Sequence, residues 1–111
     1  MIAALRLKLL ASVLVVASTA AAATPAENWE KHCAGCHGAD GKAQTRIGRK
    51  AGAKDLTDKV NQSKLTDADI MKLVKGGRVS AKGEEKMEAF SDRLSEAEIT
   101  ALIQIVRNFA K

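Results

Sequence analysis

The sequence predicts an all-α domain, three to four helices joined by long loops. Two stretches, "LTDADIMKLVKGG" and "LSEAEITALIQIVRNFAK", join a helix-start signature to an apolar stripe at helical spacing. Nothing after Thr24 alternates with period two over a strand's length. Aromatic residues make up 3% of the chain and tyrosine is absent, a composition poor in the side chains that favour sheets.

The 111 residues allow one domain, and 46% hydrophobic with 28% charged residues is ordinary for a globular chain. The start reads as a targeting segment. Arg6 and Lys8 precede the apolar run Leu9 to Ala17, and the small residues of "STAAAATP" follow, with Ala21-Ala22-Ala23 as the cleavage site. The apolar run from Leu9 to Ala23 is 15 residues, short of the roughly 18 that a membrane span needs, so cleavage is expected rather than anchoring. Residues 1–23 are thus assigned as a cleaved secretory signal peptide and 24–111 as the mature domain, with no transmembrane anchor left after cleavage. Loss of Arg6 and Lys8 leaves 16 of the 18 basic groups against 13 acidic ones, a net charge of +3.

In order along the mature chain, Thr24 followed by Pro25 and Glu27 fits a helix start with a capping box, and this first helix runs into "HCAGCHG", residues 32–38. Residues 38–64, glycine-rich early and poor in large apolar side chains, read as a long wrapped connection. The next helix has Thr66 as N-cap with Asp69 completing the box, Leu65 and Ile70 as a staple, and Gly76 and Gly77 as its end. The last has Ser95 and Glu98 as box, Leu94 and Ile99 as staple, and Ile99, Leu102, Ile103, Val106 and Phe109 as its stripe. "LTDADI" and "LSEAEI" are two copies of one helix-start signature, because the residues around them do not match. So few large side chains in 88 residues fill a core poorly, and domains of this size often depend on a staple or a bound group.

Cys33, Cys36 and His37 form C-x-x-C-H, the spacing of covalent c-type haem attachment. The cysteines suit thioether bonds to the two vinyl groups on one porphyrin edge, and the adjacent histidine then lies under the iron as an axial ligand. Gly38 leaves room for the chain to turn away near the ring, although a glycine that merely ends a helix has the same form. A disulfide between residues three apart closes too short a loop to stabilise a fold much. A thiol oxidoreductase usually sets its cysteines at a strand-to-helix turn in a βαβ setting that is missing here. Structural zinc fails because adjacent Cys and His reach one tetrahedral site poorly and no second ligand pair follows.

Through these residues, with "NWEKHCAGCHGADGK", "KMEAF" and "LSEAEITALIQIVRNF", the chain resembles the small bacterial class I c-type cytochromes. The resemblance implies the cytochrome c fold, in which helices and loops wrap one covalently bound haem c and the N- and C-terminal helices cross. It places Trp29 where the family usually has an aromatic packed on the last helix. It also implies Met87 as the distal iron ligand, in the place of the methionine of a K-M-P-A-F-like pattern. Of the other methionines, Met1 leaves with the signal and Met71, inside an amphipathic helix, is accounted for as core filler. His32 shares a short segment with His37 and is read as a surface histidine.

Three positions depart from the family pattern. Arg49 stands at the match to a proline whose carbonyl accepts the ligand histidine's second N–H, Glu88 replaces the proline after the ligand methionine, and Ile105 replaces a common aromatic, leaving Trp29 an aliphatic partner. Histidine–methionine ligation leaves no open iron site, so the expected function is a soluble periplasmic one-electron carrier and not an enzyme. The alternative is a haem enzyme or gas-binding sensor with a labile methionine. Lys42, Arg46, Arg49, Lys50 and Lys54, then Lys72, Lys75, Arg78, Lys82 and Lys86, are either a solvated basic surface or a basic ring that steers acidic redox partners. Nucleic acid is not expected as a partner, because the basic groups lack interleaved aromatics.

Overall fold

The computed structural model describes residues 10–16 and 22–111. Arg6, Lys8 and residues 17–21, which carry the charged start and much of the cleavage approach of the expected signal peptide, lie outside the described residues. Among the described residues no helix is long and apolar enough to cross a membrane.

The elements run α1 (Pro25–His32), α2 (Ala34–His37), α3 (Arg46–Ala51), α4 (Lys59–Ser63), α5 (Asp67–Gly76), β1 (Arg78–Val79), β2 (Glu85–Met87) and α6 (Glu96–Asn108). The architecture is the cytochrome c fold. Both expected capping boxes on α5 and α6 form reciprocally, Thr66 with Asp69 and Ser95 with Glu98. At α1 only half the box forms: the Thr24 hydroxyl accepts from the Glu27 amide at 3.1 Å and donates to the Glu27 carboxylate at 3.0 Å.

The long connection is more ordered than its composition suggests. It holds α3 and α4, whose N-caps are Thr45, accepting from the Gly48 amide, and Asp58, accepting from the Val60 and Asn61 amides. Helices of five or six residues are too short for an apolar period to show, so only the caps betray them. The chain also contains a strand pair, antiparallel β1–β2 with Arg78 opposite Met87 and an irregularity beside it. Two- and three-residue strands leave no alternation to read, and the link is closed locally by Ser80, whose hydroxyl accepts from the Lys82 and Glu84 amides.

Helix α6 packs on both α1 and α5. The core between them is Trp29, Ile70, Phe90, Leu94, Ile99, Leu102 and Ile103, with Met71, Val74, Ile105, Val106 and Phe109 half-buried against it. Buried Asn28 on α1 donates to Glu98 on α6 at 3.1 Å, so this buried amide is paired across the α1–α6 contact. The far end of α6 is locked by Gln62, whose amide donates to the Leu56 and Val106 carbonyls. Arg107 adds bonds to the Gln62 and Leu65 carbonyls and to Asp67.

Candidate haem site

Cys33 sits at the break between α1 and α2, and its carbonyl accepts the His37 amide at 2.9 Å. Cys33, Cys36 and His37 therefore stand at i, i+3 and i+4 of one helical turn, which sets the three side chains on one face. Gly38, at φ +83°, turns the chain out of α2, and the Ala43 amide returns to the His37 carbonyl at 2.8 Å. Helix α3 packs onto α2 from the other side. The Thr45 hydroxyl donates to the Cys36 carbonyl at 2.6 Å, and a Cβ on Gly48 would lie 2.4 Å from that same oxygen. No residue larger than glycine fits there without moving the motif backbone.

Both thiols are free, and burial pushes the Cys33 pKa up to about 11 and raises that of Cys36 as well. Burial outweighs the position at a helix start, so both stay protonated at neutral pH. That opposes a thiol oxidoreductase, whose attacking cysteine needs a depressed pKa. Burial also lowers the His37 pKa below its ordinary 6.5, which keeps the imidazole neutral, the form that binds metals. Its Nδ1 is buried without a hydrogen-bond partner. The Arg49 carbonyl, at the position expected to accept this N–H, instead accepts the Gly52 amide that caps α3. Neither ring nitrogen of His37 is paired among the described residues.

Trp29 lies over the motif. Its indole N–H donates to the Gly38 carbonyl at 3.1 Å, and its ring centroid is 5.9 Å from that of His37. Its aromatic partner on α6 is Phe109, at 5.1 Å, although Ile105 had pointed to an aliphatic one; the aromatic is supplied one helical turn later. His32 is not the free surface histidine expected from sequence. It is half-buried, with its ring edge-on to Phe90 at 5.5 Å.

Met87, half-buried on β2, is on a separate segment from the cysteines. Two ties hold that segment to the end of α5: the Phe90 amide donates to the Val74 carbonyl at 2.9 Å, and the Ser91 amide to the Lys75 carbonyl at 3.3 Å. A Cβ on Gly77 would lie 2.5 Å from the Met87 carbonyl oxygen, so the strand also rests directly on the glycine that ends α5. The His32–Phe90 contact joins this segment to the motif end of α1. Spacing gave no sign of Phe90, Gly77 or Gly48 as supports. The signals were the glycine after α5 and the aromatic three residues beyond Met87.

These residues fit a haem. Three donors lie on one helix face, with a half-buried imidazole among them whose Nδ1 is buried and unpaired. Ile47 on α3, the helix packed on α2, and Val79 on β1 are apolar side chains each 62% exposed. Covering each such side chain contributes about 1.5–3 kcal/mol, a substantial addition to so small a core.

A short helix presenting C-x-x-C-H on one face, next to an N-terminal helix that packs on the C-terminal one, defines a c-type cytochrome, with haem c bound covalently and electron transfer as its work. More particularly, the chain belongs to the family described as cytochrome C oxidase, cbb3-type, subunit III, whose model matches residues 20–104. Among solved structures it is similar to the KustC0563 c-type cytochrome, at 30% identity over 80% of this chain and 100% of that one, with a TM-score of 0.69. A single-residue mutant of that cytochrome matches at 30% identity over 77% of this chain and 96% of that one, with a TM-score of 0.65. No curated protein matches.

Proposed function

We propose that the chain is an exported, periplasmic one-electron carrier whose haem c is tethered by Cys33 and Cys36 and held at the iron by His37 and Met87. The observation that carries the ligand assignment is the half-buried His37 imidazole, its pKa lowered by burial and its ring nitrogens without a hydrogen bond among the described residues, one residue beyond the second cysteine. The buried unpaired atom is Nδ1, and leaving it so costs about 1–3 kcal/mol, a penalty that an acceptor at Nδ1 would offset while Nε2 stays available to iron.

Cys33 and Cys36 would hold the haem as thioethers to its two vinyl groups. Haem c supplies a ferrous–ferric couple when bound. His37 would hold the iron, its ring positioned by the tilted Trp29 indole 5.9 Å away and by the turn at Gly38. Met87 would be the second protein ligand, presented by a strand fixed to the end of α5, and its thioether would favour the ferrous state relative to a second imidazole. Held by both His37 and Met87, the iron would pass electrons rather than bind a substrate.

Partners are redox proteins with acidic docking surfaces. Arg78 donates to the Ala51 carbonyl at 3.1 Å, which sets the second basic run against the end of α3, where the first run lies. Of the ten basic side chains in the two runs, Lys75 and Lys86 are ion-paired with Glu96 and Glu84; the other eight have no ion pair among the described residues. Export rests on residues 1–23 acting as a signal peptide cut after Ala23.

The test is expression of the full chain in a bacterium with periplasmic haem-attachment machinery, followed by a haem stain of the periplasmic fraction on a denaturing gel. A stained band in the wild type and none in the Cys33→Ala/Cys36→Ala double variant is expected. Stain persisting in the double variant, or none in the wild type, would contradict the assignment.

A further inference from the structure

We propose that Arg93 is the positioning residue that keeps Met87 in place, acting with Glu88. This rests on the Met87 ligation put forward above and adds to it a device particular to this chain.

The ladder of β2 ends at Met87, and Glu88 follows without strand pairing. A single guanidinium brackets the next three residues. Arg93 Nη2 donates to Glu88 Oε2 at 3.2 Å and to the Ala89 carbonyl at 3.0 Å, and the guanidinium carbon lies 4.3 Å from the Phe90 ring centroid. Phe90 itself is buried, with the His32 ring at its edge, so the cation is stacked on a fixed platform. An isolated exposed ion pair contributes little, because two mobile side chains must be ordered for it. Here Arg93 is already ordered by the carbonyl bond and the contact with Phe90, and Glu88 meets a guanidinium held in place, the same Nη2 serving both oxygens.

Before Met87 the chain is held by pairing with Arg78. After it, the Phe90 and Ser91 amides tie the segment to the Val74 and Lys75 carbonyls, and the Arg93 contacts hold Glu88 and Ala89, the two residues between Met87 and those ties. The clamp therefore sets how readily a competing ligand displaces Met87. Proline at position 88 would restrict the same bond by covalent means, since its ring fixes φ. No backbone bond from the Glu88 amide is made among the described residues, so this substitution removes none.

The experiment is imidazole titration of the ferric haem-loaded protein, read by loss of the far-red band of the methionine–iron bond, for wild type, Met87→Ala, Arg93→Ala, Arg93→Lys and Glu88→Pro/Arg93→Ala. Arg93→Ala is expected to bind imidazole about tenfold more tightly, equivalent to about 1.4 kcal/mol. Arg93→Lys, keeping the charge without the fork, falls between it and wild type, and it serves as the readout if the alanine variant is not recovered. Glu88→Pro/Arg93→Ala returns toward wild-type affinity, which a merely destabilised fold would not do.

If Arg93→Ala and Arg93→Lys bind imidazole within about twofold of wild type while Met87→Ala loses the band, the clamp is overturned and the ligation stands. If Met87→Ala keeps the band, or the wild type lacks it, the ligation is overturned and the clamp with it.

Discussion

Adjacent glycines at the end of α5 should respond in opposite ways to the same substitution. Gly77 has φ +70° and ψ −170°, a region that L-residues enter at about 1–3 kcal/mol. A Cβ there would also lie 2.5 Å from the Met87 oxygen, 2.9 Å from the Ala89 nitrogen and 3.0 Å from the Glu88 carbonyl carbon. All three are backbone atoms, so no side chain can swing aside, and the forced shift adds about 1–3 kcal/mol. Gly76 is helical, and a Cβ there meets nothing within 4 Å. Alanine at Gly76 is therefore neutral or up to about 1 kcal/mol stabilising, by helix propensity. Gly77→Ala is expected to lose about 3 kcal/mol, a fall in melting temperature of roughly 12–24 °C at this size. Urea and thermal unfolding of the haem-loaded variants measure both, and the methionine–iron band should weaken in Gly77→Ala only. Equal effects, or a Gly77→Ala variant within about 0.5 kcal/mol of wild type, would refute the reasoning.

Gln62→Ala removes the amide that serves the Leu56 and Val106 carbonyls and frees the Arg107 guanidinium that it accepts, so a loss of about 2–3 kcal/mol is expected in urea unfolding. Acid should destabilise the fold through four carboxyls whose pKa values are lowered on folding, among them Asp55, which accepts two bonds from Thr57. Asp69 and Glu98 accept capping bonds, and Glu96 is bound by Lys75. Each folded group binds fewer protons than the unfolded one, so their stabilisation is complete above the ordinary values of 3.8 and 4.5 and is lost as pH falls through that range to the lower folded values. A pH series of unfolding midpoints checks this, and Glu98→Gln should flatten its acid limb. Second-order electron transfer with an acidic partner should slow as salt rises, and Lys72→Glu should reduce that dependence; stopped-flow rates measure both.

The longer helices were legible because their signals are redundant. Capping box, staple and stripe all agree over α5 and over α6, and the structure reproduces both boxes. The motif on α2 was legible because two cysteines and a histidine on one turn serve few chemistries. What escaped was either too short or too distant in sequence. Helices α3 and α4 and the β1–β2 pair are shorter than the periods used to find such elements. Phe109 as the partner of Trp29 lies 80 positions away, and only the packing of α1 on α6 selects it over Ile105. The histidine read as a surface group became a support because Phe90 reaches it from a segment that the sequence places far off. Glu88, read as a loss of stiffness, gains its meaning only from Arg93 five residues on, where a loop spacing carries no rule that links them.

The central claim, a closed pair of His37 and Met87 at one covalently held haem, is tested most directly by the visible spectrum of the reduced, periplasm-matured protein before and after carbon monoxide. The expected result is a low-spin c-type spectrum that carbon monoxide leaves unchanged in the wild type and changes in Met87→Ala. Rapid carbon monoxide binding by the wild type would contradict it, showing an open or labile iron and pointing instead to haem catalysis or gas sensing.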